Sequence, residues 1–310
     1  MSIDPTLFAD VADSLGIAHP AIVEKDYYAI QLLKLLSTFE TPNYQLVFAG
    51  GTCLAKAHQN TYRMSEDIDI KLVPTEEVSA ESRTEQRRLR RELHGQLQTL
   101  LEGSELFSLV QAPGIQNEYR FQQFLIEYPT RHDTFKALRP HLQLELTESV
   151  LLQAPINASL CSLYAEVAEQ EREVSHFVCV GLESTAAEKL VSLLRRTAAR
   201  VRDVEKKDDP TLIRHIYDLH LILAGKTNFD DIGVLVHQAI AIDVEQFGNQ
   251  HLEFRQNPIA ELRLGFEQLK QDVVHQKRYK DFIGPLVYHP EPADWETAFG
   301  TLEKIVNHIF

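Results

Sequence analysis

The sequence predicts an α+β fold: a mixed β-sheet core flanked by helices, followed by a mainly helical C-terminal domain. Three patterns predict it. Short segments in the first half alternate between apolar and polar residues, most cleanly in HLQLELTE at 141–148, as half-buried strands do. Apolar residues at helical spacing recur in 5–15, 20–38 and 81–102 between those strands. Beyond about Pro155 nearly every segment has a helical period. A chain of 310 residues is long enough for two domains, and the change of pattern sets them at 1–155 and 156–310.

Taken in order, residues 5–15 form a first helix. Pro20 opens a second, whose fixed φ suits a first helical turn, with Ile22, Ile30, Leu33 and Leu36 along it. Glu24, Lys25 and Asp26 read as a solvated early turn placed favourably for the helix dipole. An apolar strand at 46–49 then meets Gly50-Gly51-Thr52. Paired glycines let backbone N–H groups come close to a phosphate, and a following helix N-terminus favours its charge.

After a helix-compatible stretch the chain returns as Asp67-Ile68-Asp69-Ile70. Side chains alternate along a strand, so Asp67 and Asp69 project together while the isoleucines face the core. Two adjacent carboxylates repel and call for a cation, and a hard divalent ion such as Mg²⁺ (or Mn²⁺) takes oxygen ligands and shares its shell with phosphates. A phosphate cradle and a metal clamp on one sheet imply phosphoryl or nucleotidyl transfer.

The strand ends at Pro74, and 81–102 forms a helix with Leu89, Leu93, Leu97 and Leu100 or Leu101 on one side. Its arginines Arg83, Arg87, Arg88, Arg90 and Arg91 make either a patch for RNA or a solvated face paired with Glu85 and Glu92. Strands follow near 106–112, 118–128 and 141–149. The polar face of the last holds Glu145, the candidate third carboxylate for metal and proton; Glu127 is the fallback. A short strand at 176–180 either closes the sheet or begins the second domain.

The helix from 183 places Ala187, Leu190, Val191, Leu194, Ala198 and Val201 on a buried stripe, with Thr185 and Glu188 as a capping box. At about 100° per residue, Lys189, Arg196 and Arg200 form a basic ridge. In the next helix Asp218 either pairs with Arg214 one turn away or orients Lys189. A helix capped by Asn257-Pro258 runs to about 276. A final helix after Pro292 carries Trp295, Phe299, Leu302, Val306 and Ile309 as a packing stripe.

The order strand, Gly-Gly-Thr, helix, Asp-x-Asp strand resembles the DNA polymerase beta type nucleotidyltransferase motif. More narrowly, GGTCLAKAH, RMSEDIDI, AEKL and RHIYDL resemble the AbiEii/AbiGii abortive-infection nucleotidyltransferase toxins over about residues 20–225. That resemblance implies transfer of a nucleoside monophosphate from an NTP, with pyrophosphate leaving. By it, Asp67, Asp69 and Glu145 hold metal, and Gly50, Gly51, Thr52, Lys56, Arg63 and Ser65 meet the nucleotide. Lys189, supported by Asp218, binds the triphosphate, so that the helical domain completes the nucleotide site. His215 stands where that family usually has an acid. The resemblance further implies the 3′ end of tRNA as acceptor, a role in phage defence and an antitoxin encoded nearby. The alternatives are transfer to a protein or small molecule, or a non-catalytic nucleotide-binding protein.

Composition sets outer limits. The formal charge of −14 and a 44% hydrophobic content suit a globular protein but not one that coats nucleic acid non-specifically. Any basic surface for RNA must then be local. There is no apolar run of roughly 18 residues and no signal-like N-terminus, so a cytoplasmic protein without membrane contact is expected. Cys53, Cys161 and Cys179 lie far apart without a CxxC pair, and the thirteen histidines show no HExxH spacing, which argues against disulfides and zinc.

Overall fold

In the first of two compact units, residues 1–180, apolar alternation builds a mixed sheet. The computed structural model describes residue 4 and residues 6–310; residue 5, the expected start of the first helix, lies outside them. The strands are β1 (Tyr44–Ala49), β2 (Asp67–Pro74), β3 (Ser108–Leu109), β4 (Gly114–Gln116), β5 (Phe121–Glu127), β6 (Leu142–Glu148), β7 (Ile156–Leu160) and β8 (Val174–Cys179). Their order is β3-β5-β6-β2-β1-β8-β7, with β4 also beside β5. β2 runs parallel to β6 and antiparallel to β1, while β8 runs parallel to β1.

One face of this sheet is the core. Ile68, Ile70 and Leu72 of β2, Leu142, Leu144 and Leu146 of β6, and Phe124 and Ile126 of β5 are buried there. The helices of this unit are α1 (Thr6–Leu15), α2 (Pro20–Leu36), α3 (Gly50–Cys53), α4 (Glu76–Ala80), α5 (Arg83–Glu102) and α6 (Leu163–Val167). Ile30, Leu33 and Leu36 of α2 and Leu93, Leu97 and Leu101 of α5 join that core. Because strand parity is two, covering one face with helices leaves the odd-numbered residues of β2, β5 and β6 on the other.

The arginines of α5 do not form one basic patch. Arg88 pairs with Glu85 and Glu92, and Arg83 with Glu118, as a solvated face would. Arg90 instead is fully buried and binds Glu148 at 2.8 Å.

The second unit, residues 181–310, contains α7 (Leu182–Arg202), α8 (Arg214–Leu223), α9 (Asp230–Phe247), α10 (Leu252–Gln256), α11 (Pro258–Gln271), α12 (Val273–Leu286) and α13 (Trp295–Ile309). The division between the units thus falls 25 residues beyond the expected boundary at 155. The reason is pairing: Val174–Cys179 hydrogen-bonds to β1 and carries β7 with it, so this stretch closes the sheet.

Helix α7 packs against α8, α9 and α11, burying Ala187, Leu190, Val191, Leu194 and Ala198. Val201 departs from the expected stripe at 38% exposure. Gly181 occupies the N-cap, so Thr185 lies inside the helix and donates to the Gly181 carbonyl at 3.0 Å in place of the expected capping box. The Asn257-capped helix ends at Gln271, where Asp272 caps α12 through the Val274 N–H. Arg195 crosses from α7 to Asp243 of α9 at 2.7 Å and lies 4.0 Å over the Phe247 ring. Among the described residues no helix is long and apolar enough to cross a membrane.

Two glycines of this unit make a contrast. A methyl carbon at Gly265 would sit 2.0 Å from the Leu194 carbonyl oxygen, whereas one at Gly233 would sit 3.8 Å from Ile309 Cγ1. Gly265→Ala is therefore expected to destabilise the unit by about 1–3 kcal/mol through overpacking. Gly233→Ala should be neutral or gain up to about 1 kcal/mol from helix propensity; urea denaturation of both variants compares them.

Candidate active site

The polar face of the sheet gathers the strand acids by register. Asp67 lies opposite Gln143, and Asp69 opposite Glu145, in the parallel β2–β6 pair. Adjacent strands are about 4.8 Å apart, so Asp69 and Glu145 are neighbours on one face. On the other side of β2, Asp69 pairs with Ala49, the last residue of β1.

Beyond Ala49 the chain turns sharply. Gly50 has φ +78°, and a Cβ there would sit 1.8 Å from Asp69 Oδ2. Both its conformation and its missing side chain are thus required, and the Asp69 carboxylate rests against the glycine backbone. A Cβ at Gly51 would meet Arg63 Nη2 at 2.6 Å and Ser65 Oγ at 2.7 Å. Gly50, Gly51, Arg63, Ser65 and Asp69 are therefore gathered at the end of β1. Past Cys53 the backbone continues as one π-helical turn through His58, whose ring nitrogen contacts the Val180 carbonyl at 2.7 Å.

Two expected phosphate contacts are otherwise engaged. Thr52 Oγ1 donates to the Asp67 carbonyl at 2.5 Å, pinning the first residue of β2. Lys56 pairs with Asp26 at 2.5 Å.

Beneath this surface lies a network that the sequence reading placed in solvent. Glu24, Lys25 and Asp26 are all buried, and each ties down a separate segment. Glu24 accepts from the Arg131 and His132 N–H groups, at 2.8 and 3.0 Å. Lys25 donates to Glu66 Oε1 at 2.9 Å and to the Arg139 carbonyl at 2.8 Å. Asp26 accepts from the Leu163 N–H at 2.6 Å as well as binding Lys56. The loop before β6, the start of β2 and the N-terminus of α6 all close over α2, which is why these charges leave water; each is paired, as burial demands.

Arg139 links this network to the polar face, and no sequence pattern singled it out. Its N–H donates to Glu66 Oε1 at 2.7 Å, Nη1 to Gln143 Oε1 at 2.6 Å and Nη2 to Asp67 Oδ1 at 2.7 Å. Glu145 Oε1 accepts from Gln123 at 3.0 Å and from Gln143 at 2.7 Å. Glu127 points to the same side but stands at the far end of β5, opposite Ser108 of β3, too remote from β2 to replace Glu145.

Among the described residues no three His, Cys, Asp or Glu side chains form a group that could hold a metal ion, so the expected three-carboxylate cluster is not assembled. The donor set still fits a hard divalent ion in kind. Two same-face carboxylates are sufficient protein ligands where substrate phosphates and water fill the remaining positions.

In the second unit Lys189 Nζ binds Asp218 Oδ2 at 2.8 Å, with Asp218 fully buried. Asp218 thus pairs across to the neighbouring helix and holds Lys189. The basic ridge is not a free surface, since Lys189 is buried in this pair and Arg196 binds Asp209 at 2.5 Å. His215 Nδ1 lies 3.2 Å from the Lys189 carbonyl. Burial, then the Lys189 charge, push His215 down to about 3, so at neutral pH it brings no charge.

The sequence model of one family, described as nucleotidyl transferase AbiEii toxin, type IV TA system, matches residues 34–301. No match is found among curated proteins. Among solved structures, MenT4, a nucleotidyltransferase toxin from Mycobacterium tuberculosis, is 18% identical with a TM-score of 0.44, covering 98% of this chain and 99% of its own.

Glu66 offers a test of the buried network. Burial raises its pKa, but Lys25, the Arg139 N–H and the Arg139 charge together hold it below the usual carboxylate range. A carboxyl depressed on folding adds stability above its unfolded value of about 4.3 and loses it as pH falls through the folded value. Glu66→Gln, which strands Lys25, should cost about 3–5 kcal/mol at pH 7. It should also lose less stability than the wild type on acidification below about pH 4, as read by urea melts across pH.

Proposed function

The chain belongs to the AbiEii family of nucleotidyl transferase toxins of type IV toxin–antitoxin systems, and on that premise we propose that it moves a nucleoside monophosphate from an NTP to the 3′ end of tRNA. It is accordingly a nucleotidyltransferase with an antitoxin as its counterpart in the system. Support for the finer reading comes above all from one observation: Asp69, seated against Gly50, faces Glu145 in register on the sheet surface that also carries Asp67.

In this reading Asp67 and Asp69 hold Mg²⁺ (or Mn²⁺), which when bound supplies charge neutralisation at the phosphates. The backbone around Gly50 and Gly51 admits the phosphates closely, with Arg63 and Ser65 at its edge. Glu145, its Oε1 steadied by two glutamine amides, takes the acceptor hydroxyl proton on Oε2 as the acceptor oxygen attacks the α-phosphorus. The new P–O bond forms as the bond to the β-phosphate oxygen breaks and pyrophosphate leaves. The net charge of −14 favours a second reading, transfer to a protein or small molecule, because a polynucleotide is repelled by an acidic surface.

Incubation with each labelled NTP, Mg²⁺ and total tRNA decides between them. Label is expected in tRNA; label in protein instead, or in a small product, would replace that acceptor. Asp69→Asn should reduce transfer by roughly a hundredfold or more, with a melting temperature near that of the wild type. A collapse of folding in Asp69→Asn would assign the carboxylate a structural role.

A further inference from the structure

Arg139 has one side chain facing two tasks. Its main chain is fastened to the buried pair, through Glu66 on the N–H and Lys25 on the carbonyl. Its guanidinium, 34% exposed, is carried up to the catalytic face, where it lies on Asp67 Oδ1 at 2.7 Å and on Gln143. The anchored backbone restricts any displacement to the side chain.

A divalent cation and a guanidinium on the same carboxylate repel one another, since both carry positive charge within a few ångströms. Resting on the metal-dependent reading above, we propose that Arg139 is an exchangeable counter-ion: it neutralises Asp67 until a divalent cation takes that carboxylate, and then passes to a phosphate of the bound NTP. The planar fork of an arginine suits both partners, because carboxylate and phosphate each accept two parallel N–H bonds. Its starting point beside Asp67 puts it next to the ion that the phosphates share. Arg139 therefore couples loading of the cation to capture of the nucleotide, and Gln143 steadies the guanidinium before exchange.

The sign of the effect separates this role from a static salt bridge. A static bridge orders Asp67 for its ligand, so its loss weakens cation binding. An exchanging one competes, so its loss strengthens cation binding and weakens nucleotide binding. Full-length wild type, Arg139→Gln, Arg139→Lys and Asp69→Asn are titrated with Mn²⁺ alone, reading bound metal by electron paramagnetic resonance. Each of the four NTPs is then titrated at saturating Mn²⁺ by calorimetry.

Arg139→Gln is expected to bind Mn²⁺ roughly tenfold more tightly and its preferred NTP roughly tenfold more weakly than wild type. Arg139→Lys, which keeps the charge without the fork, should stay near wild type for Mn²⁺ and fall between for NTP. Equal or weaker Mn²⁺ binding by Arg139→Gln overturns the exchange, even with the metal site itself intact. Tighter Mn²⁺ with unchanged NTP affinity overturns the transfer to phosphate. Absence of Asp69-dependent Mn²⁺ binding from both wild type and Arg139→Gln overturns the metal-dependent reading, and the exchange with it.

Discussion

The ion pair between Lys25 and Glu66, sealed from solvent, is the constraint on which the polar face of the sheet depends. Glu66 immediately precedes β2, so fixing it sets where Asp67 and Asp69 begin. The same lysine holds the Arg139 carbonyl, and the same glutamate the Arg139 N–H, so the loop entering β6 is positioned against the start of β2 by one shared contact. Breaking such a pair leaves a buried charge without a partner, which costs far more than the pair itself contributes. A helix, a strand and a loop distant in sequence are thereby held in one arrangement.

Above that anchor, register does the rest. The parallel pairing of β2 with β6 puts Asp69 beside Glu145 and Asp67 beside Gln143, while the apolar residues between them fill the core beneath. A slip of one residue in either strand would turn the acids inward, so the burial of Ile68, Ile70, Leu144 and Leu146 protects the chemistry as well as the fold. Gly50 completes the geometry because only a residue without a Cβ leaves room for the Asp69 carboxylate. Fold stability and site geometry are therefore read from the same alternation.

The helical unit shows the same economy at Asp218. This carboxylate is fully buried on α8 and directed at Lys189 of α7, so the lysine has a fixed place instead of a solvated sweep. His215, one turn before Asp218, is kept uncharged by its surroundings. His215 therefore adds no positive charge beside Lys189 at neutral pH.

What the sequence determined by itself was local: strand alternation in β2 and β6, the turn at Gly50-Gly51, the helix stripes of α2, α5 and α7, and from their order the family. These follow from periods of two and 3.6 residues and from backbone freedom, which nearby residues set. What only the tertiary structure decided was where side chains meet across long stretches of chain. Glu24, Lys25 and Asp26 read as a solvated turn because nothing local reports that three segments close over them. Arg139 was illegible for the same reason, its partner Asp67 lying 72 residues away. The grouping of Val174–Cys179 with the sheet likewise rests on hydrogen bonds to β1 that no local pattern encodes. Pairing and burial are properties of the assembled chain, and they decided which charges are buried in ion pairs and which lie on the polar face of the sheet.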